Sequence, residues 1–97
     1  MSSFQYSETG VDSLKTLGSL IRAQRRESSL RIDDAAALCG VSVDLLSRLE
    51  NGSSGVSTGR VLKVLDGLGL AMIVVDKSKL RRAVAAANSP DPRSTDR

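Results

Sequence analysis

Arg48 is the side chain of this 97-residue chain whose chemistry is easiest to name. Its guanidinium is a rigid fork of donors that matches O6 and N7 of guanine on the floor of a DNA major groove. Three neighbours stand at helical spacing beside it. Val43 can pack on a thymine methyl, Asp44 can accept from cytosine N4, and Ser47 can serve a base edge or the backbone. This is the chemistry of recognition, not of catalysis. The chain has no His and one Cys, and no carboxylates are spaced as a pair around a cleft. Neither a metal site nor a nucleophile–base pair can be assembled from that inventory, so no enzyme activity and no cofactor or metal is expected.

Those side chains need a helix, and the helix needs a support. Residues 30–52 (LRIDDAAALCGVSVDLLSRLENG) supply both. Asp33 and Asp34 open a first short helix, where the dipole favours negative charge. Ala35, Ala36, Ala37 and Leu38 continue it in good helix formers. Gly40 stops it, because glycine takes the left-handed conformation of a C′ position without a Cβ clash. Val41 is expected to point inward and Ser42 to cap the second helix, adding it to the candidate interface. Leu46 and Leu49 lie on one face of that helix, with Asp44, Ser47, Arg48 and Asn51 on the others, and Asn51-Gly52 closes it. Two helices about a glycine turn, the second with a polar face, form the pattern that places a recognition helix in the major groove. The same hairpin also occurs in small helical domains that touch no DNA.

Composition bounds the rest. The length gives one small domain with a modest core. The only aromatics are Phe4 and Tyr6, which leaves the core to Leu, Val, Ile and Ala. No apolar run is long enough to span a bilayer, and no basic stretch leads into an apolar one at the amino terminus. Neither membrane insertion nor secretion is therefore expected. A single Cys39 has no internal disulfide partner, which fits a reducing cytosol; it is expected to be a small buried residue. The net charge of +3 is unevenly placed. Residues 1–55 balance to −1 and residues 56–97 to +4. The half with the candidate readers is thus no general polyanion binder, and its affinity must come from placed arginines and helix N-termini.

In chain order, residues 1–10 form a polar arm with Phe4 and Tyr6, expected to pack on a partner. A first long helix is expected over 11–27, capped by Asp12 or Ser13, with Leu14, Leu17, Ile21 and the stem of Arg25 as its buried stripe. Gly18 within it costs roughly 1 kcal/mol against Ala, which is tolerable where another helix crosses closely. Ser28-Ser29 turn into the helical pair. One of Leu45 and Leu46, side by side, is expected to be semi-exposed or to meet a partner. A fourth helix over 59–68, capped by Ser57 or Thr58, closes the core with Val61, Leu62, Leu65 and Leu68, leaving Arg60 and Lys63 outside. Residues 70–76 (LAMIVVD) read as a strand apolar on both faces. Residues 78–87 read as a short basic helix, and a polar, proline-bearing tail follows.

The run GVS…LSRLENG, with LxxLIRAQRR upstream, resembles the Xre/Cro/phage-repressor family of helix-turn-helix proteins over residues 14–68. The resemblance implies a compact DNA-binding repressor and a clamp between Arg25 and Glu50. An Arg–carboxylate fork suits such a half-buried position. Family members usually begin the first motif helix with Thr-Gln, the Gln binding a phosphate; this chain has Arg31-Ile32. Arg31 can still reach a phosphate, and Ile32 cannot. Polar residues, often Gln, usually stand where this chain has Val43 and Asp44.

The helix-turn-helix followed by GLGLAMIVVD, with the amino-terminal SFQ and Tyr6, further resembles the HipB-type antitoxins. That resemblance implies an intersubunit sheet made by one strand per chain, repression of the chain's own operon, and a HipA-like Ser/Thr kinase toxin as partner. Some members end in a tail bearing a tryptophan that contacts the toxin; this chain has no Trp, so that contact is not carried over. The expected architecture is therefore an all-α, four- to five-helix repressor-like domain (residues 11–69) with an arm (1–10), one C-terminal β-strand (70–76) pairing across a homodimer through Leu70, Met72, Ile73, Val74 and Val75, and a basic tail (77–97). The expected setting is a bacterial cytoplasm at the nucleoid, with double-stranded DNA bearing an inverted repeat as ligand. A stand-alone Xre-type repressor and a protein-interaction module that has lost DNA binding are the alternatives.

Overall fold

A computed structural model describes residues 10–88. These fall into two units, one from Val11 to Met72 and the other holding the described residues from Ile73 onward. The expected arm with Phe4 and Tyr6, and the tail beyond residue 88, lie outside the described residues.

The larger unit holds four helices: α1 (Leu14–Glu27), α2 (Ile32–Cys39), α3 (Val43–Glu50) and α4 (Thr58–Gly67). Local chemistry sets their starts. The Ser13 hydroxyl accepts from the Thr16 N–H at 3.1 Å, so α1 begins at Leu14 and not at residue 11. Ser42 caps α3 through Leu45 N–H at 3.0 Å, and Ser57 caps α4 through Arg60 N–H at 3.3 Å. In each case a hydroxyl satisfies one of the amide donors that a helix start leaves open.

The four helices end alike. In each, a left-handed residue ends the helix, the C-cap itself at α2 and the residue after the C-cap at the other three, and the next amide reaches back to a carbonyl five residues earlier. The pairs are Leu30 to Arg25 at 3.1 Å, Val41 to Ala36 at 3.0 Å, Ser53 to Arg48 at 3.0 Å and Leu70 to Leu65 at 2.8 Å. Glycine supplies the left-handed residue three times; at α1 it is Ser29, with φ 58°. These closures fix the turn lengths, and so they fix the angles at which α1, α2 and α3 meet.

Helix α3 packs on α1 and α2, and α2 packs on α4. Ile21, Leu46, Leu49 and Val64 are fully enclosed, ringed by Leu17, Ala35, Ala36, Cys39, Leu45, Val61, Leu65 and Leu68. Burying each large aliphatic side chain contributes about 1.5–3 kcal/mol. Three expectations are corrected here. Leu14 is exposed, because the first turn of α1 projects beyond the core. Leu62 is likewise exposed, and Val64 takes the buried position on α4. Leu45 and Leu46 are both buried, since α3 sits in the angle between α1 and α2 and has apolar neighbours on two sides.

Gly18 allows the closest approach. A Cβ there would lie 2.6 Å from the carbonyl oxygen of Glu50 and closer still to that of Leu49. The absent side chain lets α1 rest on the backbone at the end of α3.

In the other unit, α5 (Lys77–Asn88) begins where Asp76 Oδ1 accepts from the Lys79 N–H at 2.9 Å. The same carboxylate accepts from the Ser78 hydroxyl, and these bonds hold Asp76 below the usual carboxylate range. Residues 70–76, expected to pair as a strand across a dimer, form no ladder within the chain among the described residues. Leu70 packs on the core, whereas Ile73 and Val74 are 82% and 88% exposed.

Candidate nucleic-acid interface

The hairpin of α2 and α3 is the candidate site, and its geometry follows from the capping just described. Gly40 (φ 72°) turns the chain, Val41 tucks against the core, and Ser42 caps α3 with only those two residues between it and the end of α2. Lys63 Nζ donates to the Gly40 carbonyl at 3.3 Å, placing a cation at the C-terminal end of α2, where the dipole favours it.

With Leu45, Leu46 and Leu49 turned inward, α3 leaves Val43, Asp44, Ser47 and Arg48 on its outer side. Positions 44, 47 and 48 share one strip at spacings of three and four residues. Arg48 Nε donates to Asp44 Oδ2 at 3.1 Å, so two side chains considered separately in the sequence form an ion pair in the free protein. Val43 is 44% exposed, an uncovered apolar surface beside that pair. The Ser42 hydroxyl is committed to its cap and retains its own proton to donate outward.

Arg31 precedes α2 and is exposed, in an ion pair with Asp33 at 3.4 Å. Its side chain does not cap the helix. Ile32 packs partly against the core, which accounts for an apolar residue at a position where a phosphate-binding Gln is usual.

Behind this face lies a buried carboxylate. Glu50, at the end of α3, is 4% exposed. Its Oε2 accepts from Arg25 Nε at 2.6 Å, and its Oε1 accepts from Arg25 Nη2 at 3.0 Å and Arg22 Nε at 3.3 Å. Arg25 Nη1 continues to the Leu30 carbonyl at 3.0 Å, tying the end of α1 to the start of the hairpin. Hydrogen bonding to Glu50 raises the affinity of Arg25 for its proton above the ordinary value, against the lowering effect of burial. Arg22 is the member that sequence reasoning missed. It also donates to Asn51 Oδ1 at 3.1 Å, and Asn51 Nδ2 returns to the Ser47 carbonyl at 2.9 Å. A second arginine one turn before Arg25, on the same face, was the available signal.

Among the described residues no group of three or more metal-ligating side chains comes together, and no helix is long and apolar enough to cross a membrane.

Comparison with known proteins agrees with this architecture. A family model described as "Helix-turn-helix domain" matches residues 16–76. An uncharacterized HTH-type transcriptional regulator, y4mF, from Sinorhizobium fredii (strain NBRC 101917 / NGR234) is 33% identical over 66 residues, covering 68% of this chain and 87% of the relative. Among solved structures, HipB in the HipA-HipB-O2-O3 complex superimposes with a TM-score of 0.65 at 20% identity, covering 71% of this chain and 97% of the other. By its sequence match and its capped, glycine-turned helix pair, this chain belongs to the helix-turn-helix domain family and has a HipB-like fold.

Proposed function

We propose that this chain is a sequence-specific DNA-binding repressor that works as a homodimer. It reads the half-sites of an inverted repeat through α3, and it serves as the antitoxin of a HipA-like Ser/Thr kinase toxin whose operon it controls. The observation that carries the DNA reading is the outer strip of α3. A helix fixed on two sides by α1 and α2 presents Arg48, Ser47 and Val43 outward, chemically matched to guanine, a base edge or phosphate, and a thymine methyl. Asp44 and the Ser42 proton border the same surface, and Arg31, in an exposed ion pair with Asp33, supplies a cation within reach of a phosphate. The antitoxin reading is supported by the HipB-like fold and by the GLGLAMIVVD segment that follows α4.

Fluorescence anisotropy on the duplex upstream of the chain's own reading frame tests the DNA assignment. Wild type should bind it more tightly than random duplex, with a steep salt dependence. Arg48→Ala should cost about 1–3 kcal/mol and relax selectivity at one base pair. Equal affinity for both duplexes at physiological salt would favour an interaction module instead. For the toxin, affinity purification from the native host should recover a HipA-like kinase. Recovery of self-dimer and DNA alone would leave a stand-alone repressor.

A further inference from the structure

Asp44 poses a problem that the proposed function leaves open. A carboxylate on the groove-facing strip meets the negative potential of two phosphate backbones, and its own contact with a base is limited to cytosine N4. Its partner in the structure suggests a different task. Asp44 engages Arg48 through Nε, at 3.1 Å, and no other side chain of the described residues bonds to that guanidinium. Guanine requires two parallel donors for O6 and N7, and the Nη1–Nη2 end of an arginine supplies them. Binding at Nε leaves that end open. The order along the helix is also favourable, with the acid N-terminal to the base by four residues. Free Arg48 has a long stem with many rotamers, and every one that points away from the groove lowers the fraction ready to bind.

We infer that Asp44 is a positioning residue for Arg48: it holds Nε, aims the terminal nitrogens of the fork at a guanine, and reads no base of its own. The inference rests on the DNA-binding reading above. Desolvation inside a groove strengthens such a pair relative to its value on an open surface, where an exposed ion pair contributes little. Recognition of guanine then costs less ordering at the moment of contact, and the orientation of Arg48 becomes a property of the folded helix.

The test uses the intact chain, a site selected by wild type from a random duplex library, and all single base-pair variants of that site. The pair read by Arg48 is the one at which Arg48→Ala loses discrimination. Asp44→Asn should lose discrimination at that same pair by about tenfold, at the low end of what one bidentate contact supplies, because Arg48 remains but is no longer held by a carboxylate. Its affinity for random duplex should stay level or rise, since a negative charge has been removed. Asp44→Glu, which keeps a carboxylate within reach, should retain most of the discrimination. In the Arg48→Ala background Asp44→Asn should change nothing further at that pair. Asp44 is exposed on the first turn of α3, and circular dichroism of each variant checks that the helices persist. A uniform gain in affinity for all duplexes with discrimination intact would overturn the inference, making Asp44 a merely repulsive neighbour. So would a changed preference at a different base pair, which would make it a direct reader, or an Arg48→Ala variant that still discriminates at every position. If wild type selects no site at all, the DNA-binding reading fails along with the inference.

Discussion

Both carboxylate oxygens of Glu50 accept from the single guanidinium of Arg25, and Arg22 adds a third donor from one turn earlier on the same helix. Helix α3 is thereby bolted by its C-terminal end to α1, and its outward strip inherits the rigidity of that joint. The joint is buried on the acid side and partly open on the basic side, where Arg25 and Arg22 are 12% and 39% exposed. That asymmetry ranks the expected losses.

Arg25→Ala should be the most damaging of the three single changes. It leaves an enclosed carboxylate with one long bond to Arg22, and breaking a buried pair in this way costs about 3–5 kcal/mol. Glu50→Ala should cost less, because both arginines can extend their heads toward water. Arg22→Ala should cost about 1 kcal/mol or less, as for exposed pairs. Urea denaturation of the singles and of the Arg25→Ala/Glu50→Ala double measures this. The double should be less than additive, and strictly additive losses would show that the two residues do not interact.

Gly18→Ala is a second expectation, and intrinsic propensity predicts its sign wrongly. On an isolated helix, alanine would gain about 1 kcal/mol over glycine. Here the new methyl would meet the backbone carbonyls of Leu49 and Glu50, which cannot rotate aside as a side chain can. Forcing α1 and α3 apart should give a net destabilisation of about 1–3 kcal/mol, typical of overpacking. A neutral or raised melting temperature would mean that the helices do not cross this closely.

Cys39 yields a third. It is 5% exposed, its thiol faces the Val64 carbonyl at 3.6 Å, and burial pushes its pKa up. A Cβ on Gly67 would stand 2.7 Å from its sulfur, so the site has no spare volume. Because the thiolate is the reactive form, native protein at neutral pH should react with iodoacetamide far more slowly than the unfolded chain. The rate should rise with urea in step with unfolding. Rapid native labelling would place Cys39 at the surface.

Much of this architecture was legible because short-range chemistry dictated it. Gly40, Ser42 and Asn51-Gly52 each act on their own few residues, and the hairpin fell where they put it. Arg25 and Glu50 were brought together as the family resemblance implied, 25 residues apart in sequence. Periodicity did worse where the third dimension decides. Leu14 and Leu62 fit an apolar stripe, yet they lie beyond the reach of neighbouring helices, while Leu45 is covered because α3 is wedged between two. The Asp44–Arg48 pair was missed for another reason. What each residue can offer a base does not reveal their mutual i,i+4 attraction.

The segment 70–76 supports the last prediction, which follows from its own amide groups. Its residues are rich in β-branched side chains, and Ile73 and Val74 stand almost wholly in solvent. Apolar side chains beside open N–H and C=O groups invite pairing with another strand. The described residues contain no strand to pair with. A second copy offers an identical segment, which a two-fold axis sets antiparallel to the first. The same axis would present two α3 helices to one side of a duplex, at the spacing of roughly 34 Å that paired half-sites require. Proline at position 73 or 74 removes one ladder donor and fixes φ, while α1 to α4 do not depend on either residue. Ile73→Pro and Val74→Pro are therefore expected to weaken dimerisation and operator affinity together, with the helical circular dichroism signal largely retained. Sedimentation velocity at micromolar concentration decides the point: a proline variant that still runs as a dimer would place the interface elsewhere, and the exposed Ile73 and Val74 would then need another partner.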